Sequence, residues 1–272
     1  MKVKDHFLTQ ETFSLVPTHI DGILRTTPLP ANLDRYYESE KYISHHQDKG
    51  TLKEKFYKQA QKFNLNYKRN ILVRYLKKND LVLDYGCGAG EFLKFIENDF
   101  QILGYEPNAV AGQVTAEKIG KNRLLNNIED VQDGSLNAIT LWHVFEHIDN
   151  QEFIINTFYK KLKINGLLII AVPNHDSHDA KYYKEHWAAY DVPRHVYHFT
   201  RTGMQQLFNN ESWQMENIKP LLLDSYYISL ISEKYRQNPL FWLRGLMIGA
   251  ISNVKALKSG EFSSLIYIIR KI

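Results

Sequence analysis

Residues 81–90 read Leu-Val-Leu-Asp-Tyr-Gly-Cys-Gly-Ala-Gly. An apolar strand therefore runs straight into three alternate glycines, Gly86, Gly88 and Gly90, ahead of a helical stretch over 91–98. The alternation repeats downstream. Strands are expected over 100–105, around 123–125, over 138–144 and over 166–172, with helices over 109–119 and 151–162 between them. The run GLLIIAV at 166–172 is apolar throughout, as a strand covered on both faces must be. Strands and helices alternating at this spacing predict an α/β fold: a Rossmann-like, doubly wound sheet with helices on both faces.

The rest of the chain is read around that unit. Residues 1–50 read as an irregular arm, broken by Pro17, Pro28 and Pro30 and carrying Tyr36, Tyr37 and Tyr42. Residues 51–76 are helical, with Leu52, Phe56, Ala60 and Phe63 on one face and a break expected near 64–66. The polar and aromatic stretch 174–200 is too long for an ordinary connection and is read as an acceptor-site insertion. A helix over 202–210, a strand over 213–223, a helical insertion at about 225–260 and a last strand over 263–270 follow. Two regions result: the arm, 1–50, and the α/β domain, 51–272.

Composition removes other classes. With 44% hydrophobic and 24% charged residues the chain is neither disordered nor fibrous. Its one cysteine, Cys87, forms neither an internal disulfide nor a CxxC zinc site. The N-terminus lacks the apolar stretch of a secretory signal, and the apolar run at 238–257 is interrupted by Arg244. A soluble, cytoplasmic protein with no transmembrane segment is expected. Net charge swings from +6 over residues 1–80 to −7 over 81–160 and +5 over 161–272. Nine Lys/Arg stand against Glu54 alone in 51–78, a segment read as a solvated helix face before a nucleic-acid or other anion-binding one.

In open α/β sheets a ligand binds at the carboxyl ends of the strands, where the strand order reverses. Glycines let the backbone approach it, and Glu106, 22 residues past Asp84, suits the two hydroxyls of a ribose. A dinucleotide fingerprint would need glycine at position 91, which is Glu91. Asp84 and Glu91 would repel a pyrophosphate, whereas a cationic sulfonium with an ammonium group would be attracted.

The segments LDYGCGAGEF, YEPN, ITLWHVFEHI, GLLIIAVPN and YHFT, in this order, resemble class I S-adenosylmethionine-dependent methyltransferases, most closely the type 23 branch, some members of which sit among surface-polysaccharide genes. The resemblance implies a seven-strand, mostly parallel sheet whose last strand is antiparallel. It also implies S-adenosylmethionine as cofactor, S-adenosylhomocysteine as product, and a cofactor site at Asp84, Gly86, Cys87, Gly88, Gly90, Glu106, Pro107, Asn127, Ile128 and Trp142. Members often carry Asp where this chain has Asn127, and Phe-Asp where it has Leu136-Asn137. The arm resembles a zinc-knuckle segment whose cysteine positions are empty here, which argues against zinc in it.

Seven of the eleven histidines lie between His143 and His198. HxxEH at 143–147 spells an inverted zinc-protease signature, but it straddles a strand end and a loop instead of a helix face, so that reading is rejected. Ubiquinone and small-RNA O-methyltransferases place metal-binding Glu and His at similar positions; the expectation is nonetheless no metal. For an oxygen acceptor a general base helps, and His143 is the first candidate, with His195 and His198 next. Arg194 is a candidate for an acidic group of the acceptor, and Tyr182, Tyr183 and Trp187 for stacking on it. The helix at 241–251, with Trp242, is read as core packing against the sheet before a shelter for a lipid-linked acceptor.

The function expected is O-methylation of a small molecule or of a glycan or surface-polysaccharide precursor, with N-methylation open. The alternatives are a non-catalytic S-adenosylmethionine-binding scaffold, a nicotinamide-dependent oxidoreductase and, weakest, a nucleic-acid methyltransferase. The oligomeric state is not legible.

Overall fold

A computed structural model describes residues 1–37, 52–208 and 210–272. Tyr42 and the rest of the arm to residue 50 lie outside them, as do the side chains of the first six residues of the long helix.

The main layer is a seven-strand sheet. In chain order it uses β4 (Leu81–Tyr85), β5 (Gln101–Tyr105), β6 (Leu124–Leu125), β7 (Leu136–Trp142), β8 (Leu162–Pro173), β10 (Trp213–Pro220) and β11 (Ser264–Lys271). Their spatial order is β10-β11-β8-β7-β4-β5-β6. β4 to β8 pair in parallel, and β11 runs antiparallel to both its neighbours. This is the expected mostly parallel, doubly wound sheet with an antiparallel last strand. The chain leaves β4 for β5 and β6 on one side and returns for β7 and β8 on the other, so the strand order reverses between β4 and β7.

Helices cover both faces: α1 (Leu52–Tyr75), α2 (Glu91–Ile96), α3 (Ala109–Ile119) and α4 (Gln151–Lys161). Asn108 and Asn150 cap α3 and α4, each accepting a backbone N–H three residues on. Leu83, Ile139, Leu141, Leu168 and Ile170 pack one core layer, while Val82, Ala138, Leu167, Ile169 and Ala171 pack the other. Adjacent residues of one strand serve opposite layers, which is why these strands are apolar without a break.

Two expectations are corrected. First, α1 is one continuous helix; Asn66 donates to the Lys62 carbonyl at 2.9 Å inside it instead of ending it. Second, the arm is not irregular where it is described. β1 (Lys2–Lys4), β2 (Thr12–Pro17) and β3 (Ile23–Thr27) build a second sheet, β1-β2-β3-β9, with β9 (Tyr197–Phe199). The N-terminal strands thus pair with the segment that follows β8. That segment also holds α5 (His178–Tyr183) and leads into α6 (Arg201–Leu207). Between β10 and β11 stand α7 (Asp224–Tyr235) and α8 (Phe241–Ser259), packed on each other.

Candidate active site

The glycine loop closes β4 by bending back on β5. The N–H groups of Gly86 and Cys87 both donate to the Tyr105 carbonyl, at 2.8 and 3.0 Å. Gly86 has φ +77°, and a Cβ on it would stand 2.5 Å from Val144. Gly88 has φ +55° and nothing within 4 Å of where its Cβ would be, so its backbone borders the cleft. Glu106 is built into the same edge: one oxygen accepts from the Gly88 N–H at 2.8 Å and the other from Asn108 N–H at 3.0 Å.

Asp84 is buried at the end of β4 and accepts from the Thr140 hydroxyl across the switch point at 2.6 Å. Burial pushes its carboxyl up to about 6, against that hydrogen bond and the pull of Lys68. Burial, with Asp84 and Glu106 nearby, pushes the Cys87 thiol up to about 12, so it is no nucleophile at neutral pH. Trp142 stands edge-on to Phe92 at 5.3 Å, its indole N–H buried without a partner.

Two residues the sequence reading passed over complete this mouth. Lys68 reaches from α1 to place its ammonium 4.5 Å from the centre of the Trp142 ring. Burial lowers its pKa, against the fields of Asp84 and of Asp224 at the start of α7. The mouth of the glycine loop therefore holds a cation between two carboxylates and an indole face. Lys68 was hidden in a basic helix, and Asp224 lies 140 residues from Asp84 in the chain.

Of the other expected cofactor residues, Pro107 is exposed beside Glu106. Asn127 is exposed and caps a short turn, accepting from Glu129 N–H at 3.1 Å. The Ile128 side chain is buried in the core and is not in the cleft. Asn137 sits at the far end of β7, accepting from Leu81 N–H and the Lys163 ammonium; it is a structural residue.

The histidines differ sharply from one another. His143, at φ +57° just past β7, has Nε2 2.9 Å from Asp224 and Nδ1 3.4 Å from Glu146. Burial opposes its charge, but the two carboxylates outweigh it and raise the ring to about 10. His143 is a cation at neutral pH and has no lone pair for a general base. His195 donates from Nδ1 to the Ala189 carbonyl at 2.9 Å, which leaves Nε2 as its lone pair. Burial and the neighbouring His147 push it down to about 4, so it stays neutral. Thr26 donates its hydroxyl to the His195 carbonyl and must therefore accept from His198 Nε2. Burial and the rings of His195 and His175 hold His198 well below its usual value.

Glu146 is 1% exposed, and neither carboxylate oxygen makes a hydrogen bond. His195 Nε2 lies 3.9 Å from it, and His147 turns Nδ1 to the Arg194 carbonyl at 2.9 Å. Glu146, His147 and His195 each offer one ligand atom within 4.8 Å of the others, a spacing that could hold a metal ion.

Three acceptor-site expectations are corrected. Arg194, 1% exposed, is consumed by Asp5 at 3.0 Å and Asp191 at 2.6 Å, and has nothing left for a ligand. Trp187 is buried and donates to Asp179 at 2.7 Å. Tyr183 is buried and donates to Glu233 at 3.1 Å. Only Tyr182 of the three aromatic residues is partly exposed.

The sheet order, the glycine loop on its first parallel strand and the acid at the end of the next define a class I S-adenosylmethionine-dependent methyltransferase. Residues 57–216 match the type 23 methyltransferase-domain family, and the chain belongs to it. It is 28% identical over 144 residues to an uncharacterized protein of Methanocaldococcus jannaschii, covering 49% of this chain and 56% of that one. Among solved structures it is similar to a putative sarcosine dimethylglycine methyltransferase from Galdieria sulphuraria, at 12% identity and a TM-score of 0.55, over 78% of this chain and 87% of that one. A cyclopropane synthase from Mycobacterium tuberculosis matches at 13% and 0.52, over 75% and 83%. Phosphoethanolamine N-methyltransferase 2 from Haemonchus contortus, in complex with phosphomonomethylethanolamine and S-adenosylhomocysteine, matches at 16% and 0.52, over 76% and 52%. At these identities the likeness is one of fold. This chain spans little more than half the length of the curated relative and of the Haemonchus enzyme.

Proposed function

We propose that this chain transfers a methyl group from S-adenosylmethionine to an oxygen of a small-molecule or glycan acceptor. The observation that carries the reading is the cation receptor at the mouth of the glycine loop. The Lys68 ammonium stands there over the Trp142 ring, in the fields of Asp84 and Asp224, which is the chemistry a sulfonium with an ammonium group needs. A pyrophosphate would meet Asp84 and Glu91 instead, which disfavours the nicotinamide alternative.

Asp84 would hold the cationic end of the cofactor, the Gly86–Gly90 backbone its chain, and Glu106 its ribose. Asn127 and the backbone of Ile128 would border its base. Bound there, S-adenosylmethionine supplies a methyl group on a good leaving group. What remains for the protein is to hold the acceptor oxygen on the methyl axis, worth roughly 7–11 kcal/mol in well-oriented systems. His143, a cation locked between Asp224 and Glu146, positions the end of β7 against α7. Of the three histidines only His195 keeps an Nε2 lone pair without a hydrogen bond to take the acceptor's proton; pushed down to about 4 it is a weak base, so positioning carries most of the rate. His198 holds Thr26, and through it the His195 backbone.

A second reading is favoured by the buried Glu146 carboxylate, whose oxygens make no hydrogen bond. A divalent ion held by Glu146, His147 and His195 would lower the pKa of an acceptor hydroxyl as a Lewis acid. The two readings separate on chelation. Turnover that survives exhaustive chelation and is lost in His195→Ala supports the base; turnover that is lost on chelation and restored by added metal, with that restoration abolished by Glu146→Gln and His147→Ala, supports the ion. Cofactor binding with no turnover on a broad panel of hydroxyl and amine acceptors would favour the scaffold alternative.

A further inference from the structure

Helix α8 is built inside out. Its buried positions are small or spaced for close approach: Gly245, Ile248, Gly249, Ser252 and Ala256. A Cβ at Gly245 would stand 2.8 Å from the Leu230 backbone, and one at Gly249 2.8 Å from the Tyr226 backbone, so α7 and α8 touch main chain to main chain. The large apolar side chains point the other way. Leu243 is 52% exposed, Met247 51%, Val254 66% and Leu257 77%, with Leu246 and Trp242 also open. Positions 243, 246, 247, 250, 254 and 257 fall on one side of a helix. They make a stripe about 20 Å long at 1.5 Å per residue. The expectation that this helix packs its aromatic and aliphatic side chains on the sheet is overturned: an ordinary surface helix turns these residues inward and its polar ones outward.

Charge says what could cover the stripe. Residues 234–260 contain five Lys/Arg and no Asp or Glu. Lys255 and Lys258 are exposed along one flank of the stripe; Arg244, in line with them and 51% exposed, is paired with Glu233 at 3.4 Å. An anionic lipid surface answers both features at once, since an apolar helix face flanked by cations settles at the headgroup boundary.

We propose that α8 docks the protein on anionic bilayers, lying in the interface without crossing it. No helix among the described residues is long and apolar enough to span a membrane. The docking is independent of the proposed methyl transfer, although Asp224, which faces His143, opens the helix that carries α8.

The test uses the full chain with sedimented vesicles of phosphatidylcholine alone or with about a third phosphatidylglycerol. The protein is expected to sediment with the anionic vesicles, with a blue shift of tryptophan fluorescence that Trp242→Phe removes, and to be released as salt rises. Leu243→Glu with Val254→Glu, both at exposed positions, is expected to cut the bound fraction at least tenfold, and Lys255→Glu with Lys258→Glu to remove the preference for anionic lipid. Both variants should keep wild-type far-ultraviolet dichroism and S-adenosylmethionine affinity, which separates failure of docking from failure of the cofactor site. Absence of binding to anionic vesicles, or equal binding by Leu243→Glu/Val254→Glu, would overturn the proposal. So would a dimer in solution that this variant dissociates, since a second copy would then be the occupant.

Discussion

Asp84 concentrates the physics of the site in one carboxylate. Burial raises it to about 6, so in the free protein its ionisation is opposed, while a cationic ligand needs it ionised. The two consequences have opposite signs. S-adenosylmethionine affinity should be flat above about pH 7 and weaken by up to tenfold per unit as pH falls below about 6; titration calorimetry across pH 5–8 reads this. Because the folded pKa lies above the unfolded value of 3.8, Asp84 contributes stability that is fully present below about 3.8 and is lost as pH rises through about 6. Relative to Asp84→Asn, the free wild type should lose roughly 3 kcal/mol across that window. The glycines offer a second contrast. Gly86→Ala drives a methyl into Val144 at a positive φ and should both destabilise the fold and abolish cofactor binding. Gly88→Ala meets no protein atom, so its loss of binding should exceed its loss of melting temperature.

At the level of elements, His143 ties β7 to the N-terminus of α7 through Asp224. Removing either partner leaves the other without its ion pair and unties β7 from α7, so His143→Ala and Asp224→Ala should each lower turnover by about a hundredfold. The double variant should be scarcely worse than the singles, because they share one interaction. Full turnover in His143→Ala would remove this role. None of it is legible in the sequence, where Asp224 opens an insertion 81 residues downstream and His143 looks like any histidine of ordinary pKa. What is legible follows from burial: β4, β5, β7 and β8 are sandwiched between helices and so read as apolar runs. The glycine loop and Glu106 are fixed by backbone chemistry that leaves a mark in the residues. The N-terminal strands leave none, since β2 is half exposed, ends in Pro17 and joins the rest of the molecule by pairing through β3 to β9, some 180 residues away. The outward stripe of α8 has the same composition as a core helix, and only packing reveals which face is turned in.

On the scale of the whole molecule, the N-terminal strands and the segment after β8 are held as one layer over the site by Arg194. Its buried guanidinium joins Asp5 of the first layer to Asp191 and also donates to the Tyr36 carbonyl. Arg194→Met should therefore behave as a folding lesion of about 3–5 kcal/mol, seen as a lowered urea midpoint, and not as a specific loss of acceptor affinity. Selective loss of acceptor binding with unchanged stability would return Arg194 to the acceptor site. The account rests on what the glycine loop binds. Calorimetric titration with S-adenosylmethionine, S-adenosylhomocysteine and NAD in parallel tests that directly. The account predicts micromolar binding of the first two, lost in Asp84→Asn and in Glu106→Ala, and none of NAD; binding of NAD alone, or of no ligand among the three, would contradict it.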